Sequence, residues 1–156
     1  MSGGDYIRFV FIGSSTCPFS NNDNTHNMVN YLKESLKKIT ELNSINFIVT
    51  GLSVDLYPQL GLNYLKNTYP YHEVMVGSSV YNLGSVFYSA GNPSTPHILI
   101  IHEKYDTELV GINLSQISDS QQVLHSFSGV FEIKEFYNFI KSSTQEEINN
   151  FLSLSN

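Results

Sequence analysis

The chain is short of several things that would define a function at once. It has one cysteine among 156 residues, no tryptophan, and only eight lysines and arginines together. One cysteine excludes an intramolecular disulfide and a Cys-x-x-Cys metal or redox pair. Charged residues make up 14% and the formal net charge is −6. With no basic cluster beyond Lys37-Lys38, neither a nucleic-acid groove nor an anionic membrane surface is expected as a partner. No apolar run approaches the roughly 20 residues that span a bilayer. The opening "MSGGDYIRF" lacks a basic region before an apolar one, so no signal peptide is expected. Location stays open: cytoplasmic, or extracytoplasmic if a leader has been removed from the start.

What is present suits a packed core. Apolar residues reach 41%, with ten Tyr and ten Phe. Neutral Asn and Ser take the place of the missing charge, so disorder is not indicated. The length suits one domain over residues 1–156, and no internal repeat or linker interrupts it.

Hydrophobic periodicity orders the elements. Residues 6–15 read as a strand buried on both faces, and about 20–43 as an amphipathic helix with Met28, Val29, Leu32, Leu36, Ile39 and Leu42 near helical spacing. A second buried strand covers 45–55. Residues 57–69 read as a weaker helix, "HEVMVG" as a short extended segment, and "SSVYNLGSVFYSAG" as a helix ended by Gly91. "HILIIHEKYD" is a strong strand following Pro96, while "ELVGIN" and "QQVLHSFSG" read as further strands. "FEIKEFYNFIKSS" is a helix, followed by a short one with Thr144 and Glu147 in capping-box spacing. Alternating βαβ units predict a parallel portion and the later hairpin an antiparallel one: a mixed α/β sheet with helices on both faces.

Within that order, "FIGSSTCPFS" runs from a strand through Cys17 to a helix, and "STPHILII" brings Thr95-Pro96 to the head of a strand. "VLHSFSGVFEIKEFYNFI" then closes the chain with a strand, a Gly129 turn and a helix. Together these segments resemble the thioredoxin-like superfamily. An insert at about 56–92 resembles its TlpA-like and redoxin-like branch. The resemblance implies that Cys17 is the nucleophile, that Pro96 is a cis-proline beside it, and that the backbone of Thr95 pairs with an extended substrate. Thr16, Pro18 and Phe19 would flank the sulfur in the substrate groove. The second cysteine of the dithiol motif is replaced by Ser20, giving a monothiol CPFS. The Pro and Thr that precede a peroxidatic cysteine in peroxiredoxins are absent, and the single arginine is Arg8.

A thiol at a helix N-terminus faces the positive end of the peptide dipoles, which favours thiolate. Ser20, three residues on, is expected to donate a hydrogen bond to the sulfur. A single thiolate can form a mixed disulfide, but an external thiol must resolve it. The expected partners are therefore a protein or a low-molecular-weight thiol or disulfide, with no cofactor and no metal. The opposing reading is a redox-inactive thioredoxin-like module, in which Cys17 is a small core residue and the cis-proline face or a Tyr-rich insert binds a protein. The five histidines lack ligand spacing, although His97 is a candidate neighbour for Cys17. Asp55 and Asp106 read as turn or cap residues. Ser14 and Ser15 lack a His/Asp pattern.

Overall fold

A computed structural model describes residues 4–78, 82–88, 94–105 and 121–154. Strand β1 (Gly4–Gly13) leads to α1 (Asp23–Leu42), β2 (Asn46–Ser53) and α2 (Pro58–Leu65). Strand β3 (Glu73–Val76), α3 (Leu83–Tyr88) and β4 (His97–Tyr105) come next, then β5 (Gln121–Ser128), α4 (Gly129–Ser142) and α5 (Gln145–Phe151). The sheet order is β3-β2-β1-β4-β5. β1, β2 and β3 are parallel; β4 and β5 are antiparallel to their neighbours.

Strand β1 is central because it can bury both faces. Ile7, Phe9 and Phe11 point to one side and Arg8, Val10 and Ile12 to the other, following the two-residue period of a strand. The first side carries the larger core. Val29, Leu32, Leu36 and Ile39 of α1 meet Ile133, Phe136 and Ile140 of α4 there, over Val49, Ile98 and Ile100. The second side holds Val10, Ile12, Leu52, Leu99 and Ile101, with Tyr88 of α3 against them. Helices therefore lie on both faces, as the alternating pattern predicts. Within the insert the expected extended segment forms β3: "EVMV" joins the sheet edge beside β2. The predicted "ELVGIN" strand and the predicted helix end at Gly91 lie outside the described residues.

Two junctions position the site. Helix α1 starts at Asp23, later than residue 20, because Asn22 is extended (φ −145°) and its side chain caps the Thr25 N–H. Gly129 adopts φ +80°, a left-handed conformation that suits glycine, and its N–H donates to the Pro96 carbonyl at 2.8 Å. That bond ties the start of α4 to the head of β4. At the other end of α4, Thr144 and Glu147 form the capping box their spacing predicts. Among the described residues no helix is long and apolar enough to cross a membrane.

Candidate functional site

Strand β1 ends at Gly13, and the chain turns through Ser14–Asn21 before α1 begins. The Ser20 and Asn21 N–H groups both donate to the Cys17 carbonyl, at 3.1 and 2.8 Å, making a single helical turn that starts at Cys17. Extended Asn22 separates this turn from α1. Cys17 therefore does not occupy the N-terminus of the long helix, as the sequence implied. The dipole of the 20-residue helix acts from beyond the cap, and helix-end effects fade within the first turn.

The Cys17 sulfur instead meets the loop before β4. Its Sγ lies 3.2 Å from the Thr95 carbonyl oxygen, with the thiol as donor, and the Thr95–Pro96 bond is cis. Cys17 is half-buried, Thr95 partly so, and Pro96 buried. Thr16, Pro18 and Phe19 are exposed around the sulfur, Phe19 at 68%. Six of the seven residues marked in the sequence thus surround one point at the C-terminal end of β1.

The seventh, Ser20, sits beneath that point with another task. It is completely buried. Its hydroxyl accepts the Ser14 N–H at 3.2 Å and is bonded to the Tyr64 hydroxyl at 2.5 Å. The expected bond from Ser20 to the sulfur is therefore replaced by a bond to α2. The reason is local: in the turn Cys17–Asn21 the two side chains diverge, one toward Thr95 and one into the core. Tyr64 fits only because Gly13 lacks a side chain, since a Cβ there would lie 2.1 Å from the Tyr64 oxygen. Burial pushes the Tyr64 hydroxyl well above its usual pKa; the Ser20 bond opposes this, while charge at Cys17 and Asp55 adds to it.

Asp55, read from the sequence as a turn residue, pins the same loop. It is 2% exposed and follows β2. The hydroxyls of Ser14 (2.9 Å), Ser15 (2.8 Å) and Ser53 (2.6 Å) donate to its carboxylate, as does the Ser15 N–H (3.0 Å). With the Ser14 proton so used, the Ser14 oxygen accepts from the Thr16 hydroxyl at 2.9 Å. Burial raises the Asp55 pKa, but the serine donors outweigh it, and the carboxyl lies below its ordinary value. The sequence signal for this clasp was the pairing of two adjacent serines after one strand with a Ser-x-Asp at the end of the next.

The histidines are dispersed. His97 is bonded through Nε2 to the Ser126 hydroxyl at 2.8 Å rather than to Cys17. Its Nδ1 is buried without a partner, so the proton belongs on Nε2 and points at Ser126, which leaves that serine unactivated. His26 packs against Tyr64 with ring centroids 5.8 Å apart. Burial lowers the pKa of both; Glu132 opposes this for His97, and Asp23 and the Ser20 backbone for His26.

No family model matches the chain, and no curated protein does. Solved structures similar to it include these two. One is a secreted Mycobacterium tuberculosis disulfide oxidoreductase described as homologous to E. coli DsbE: 9% identity, TM-score 0.43, covering 96% of this chain and 81% of that one. The other is StoA from Bacillus subtilis: 8% identity, TM-score 0.45, covering 89% of this chain and 84% of that one. The strand order, the parallel βαβ half, the antiparallel ββα half and the cis-proline opposite Cys17 make the fold a thioredoxin-like α/β fold.

Proposed function

We propose that the protein is a monothiol thiol–disulfide oxidoreductase with Cys17 as its nucleophile. The observation that carries this reading is the 3.2 Å approach of the Cys17 sulfur to the Thr95 carbonyl at a cis-proline. A half-buried thiol there can meet an extended chain lying along Thr95. Phe19, Leu56 and Tyr57, all exposed on the loops after β1 and β2, offer apolar contact beside it.

The Cys17 thiolate attacks one sulfur of a disulfide R–S–S–R′. It forms Cys17–S–S–R and releases R′S⁻, which takes up a proton. With Ser20 in place of a second cysteine, an external thiol R″–SH attacks the mixed disulfide. Cys17 leaves as thiolate, and R–S–S–R″ forms. The net change is exchange of one thiol for another, with no cofactor. The partners are a protein disulfide and a low-molecular-weight thiol such as glutathione. In this reading Asp55 and Ser20 are positioning residues: they hold the loop, not the substrate.

A second reading is favoured by the hydrogen bonding itself. The thiol proton is held by the Thr95 carbonyl, and the Ser20 hydroxyl is committed to Tyr64. A fold that has kept Cys17 as a packing residue would bind a protein partner through the cis-proline face without chemistry.

A turnover assay separates the two. A peptide carrying a glutathione mixed disulfide is incubated with reduced glutathione, with and without the protein. The enzyme reading expects catalysed release of peptide thiol, lost in Cys17→Ser and retained in Leu42→Ala, an exposed position at the far end of α1. Release at the uncatalysed rate refutes it.

A further inference from the structure

Lysine 33 occupies a core position. Val29, Leu32, Lys33 and Leu36 follow the helical stripe that α1 buries, and Lys33 is buried along with them. Its ammonium donates to the carbonyls of Thr68 and Pro70, the latter at 3.3 Å, and lies 4.6 Å from the centroid of the Tyr71 ring. All three partners are neutral. Among the described residues no carboxylate forms an ion pair with it. A buried cation without a counter-charge is costly, and burial lowers the Lys33 pKa to about 8, against a weak opposing pull from Glu34.

Lys33 lines a cleft of about 500 Å³ between α1, the start of β2 and residues 69–72. That size is typical of small-molecule sites. The cleft is at the N-terminal end of β2, whereas Cys17 follows the C-terminal end of the parallel strand β1, so the two regions are at opposite ends of the sheet. Its walls are aromatic: Phe47, Tyr71, and Tyr69, which is exposed at 70%. Lys37, one turn beyond Lys33, also lines the cleft, with its ammonium 3.9 Å from the Glu41 carboxylate. His72 accepts the Val49 N–H through Nδ1 at 2.9 Å, which places its own proton on Nε2 as a further donor. Glu34 also lines the cleft and repels an anion at the mouth, so the charge of a ligand belongs deep, beside Lys33.

We propose that this cleft binds a small aromatic anion, for which Lys33 is the counter-charge and Tyr69 and Tyr71 are the stacking walls. The ligand supplies the negative charge that the fold omits around Lys33. Its ring covers the exposed face of Tyr69. The site is independent of Cys17 and of any redox activity.

The test is a fluorescence titration with anilinonaphthalenesulfonate, an aromatic sulfonate. The expected result is saturable binding of one probe per chain. Affinity falls by about tenfold or more in Lys33→Met, the loss of a cation facing an anion at partial burial. It falls severalfold in Tyr69→Ala and is unchanged in Phe19→Ala and Phe131→Ala, which remove exposed rings elsewhere. Backbone amide shifts on titration concentrate at residues 30–37 and 69–72. Lys33→Met is checked for folding by circular dichroism. If it does not fold, the exposed Tyr69→Ala variant decides. Absence of saturable binding, or affinity untouched by Tyr69→Ala, overturns the proposal, as does unchanged affinity in a folded Lys33→Met.

Discussion

Among the described residues no cation pairs with Asp55: three serine hydroxyls and one backbone N–H take the place of water around its carboxylate. Removing the acceptor strands several buried donors at once. Asp55→Ala is expected to cost about 3 kcal/mol and to lower the Tm by about 6–12 °C for a chain of this length, read by thermal denaturation. Cys17 should become more accessible to alkylation in the same variant, because Ser14 and Ser15 lose their anchor. Sequence reading placed Asp55 at a strand end and assigned it no acid–base role. It did not reveal the clasp, because two of the three serines, Ser15 and Ser14, are 40 and 41 residues away. Ser20 is a similar case. Its spacing from Cys17 suggested a bond to sulfur, and only the fold brings Tyr64 within reach of it, 44 residues on.

Strand β1 shows how an element can be legible while its chemistry is hidden. Its apolar run marks a central strand, and the single Arg8 within it reads as an interruption. In the fold Arg8 is buried, paired with Glu73 on β3 and with Glu103 on β4 at 2.7 Å, and donates to Thr50 at 2.8 Å. The arginine thus links four strands on the α3 side of the sheet. Burial alone would lower its pKa, but the Glu103 bond and the charges of Glu103 and Glu73 raise it above the ordinary value, so it stays charged. Arg8→Met leaves the buried Glu103 uncompensated and is expected to cost about 3–5 kcal/mol by urea denaturation. Adding Glu103→Leu should restore a large part of that loss; a double variant as unstable as the sum of the singles would contradict the pairing. Helix α1 was legible from its stripe, but its start was not. Ser20, Asn21 and Asn22 are all residue types that cap helices, and the extended backbone of Asn22 makes it the cap.

The two halves of the sheet, the βαβ and the ββα, followed from the order of apolar runs, because buried strands and amphipathic helices have different periods. What could not be read was the charge state of the assembled interior. His26 and His97 are buried with lowered pKa values, so the unfolded chain takes up protons near pH 6.5 that the folded chain refuses. Stability should therefore fall as pH drops from about 7 toward 5. Asp55 behaves differently: its lowered pKa contributes stability that is present above about pH 3.9 and is lost below it. Urea midpoints measured between pH 7.5 and pH 5 should decline in the native chain and decline less in a His26→Gln, His97→Gln double variant. An equal decline in both would assign the effect to other groups.

Everything proposed for the C-terminal end of β1 depends on what the fold does to one sulfur. The measurement to make is the rate at which oxidised glutathione forms a mixed disulfide with Cys17 in the folded protein. The reference is a free peptide of residues 15–20 in the same buffer, with products resolved by mass spectrometry. A sulfur held ready beside Thr95 and Pro96 reacts faster in the fold than in the peptide, and reduced glutathione reverses the adduct. A folded chain that reacts more slowly than the peptide, or only after denaturation, contradicts the enzyme reading and leaves the cis-proline face as a binding surface.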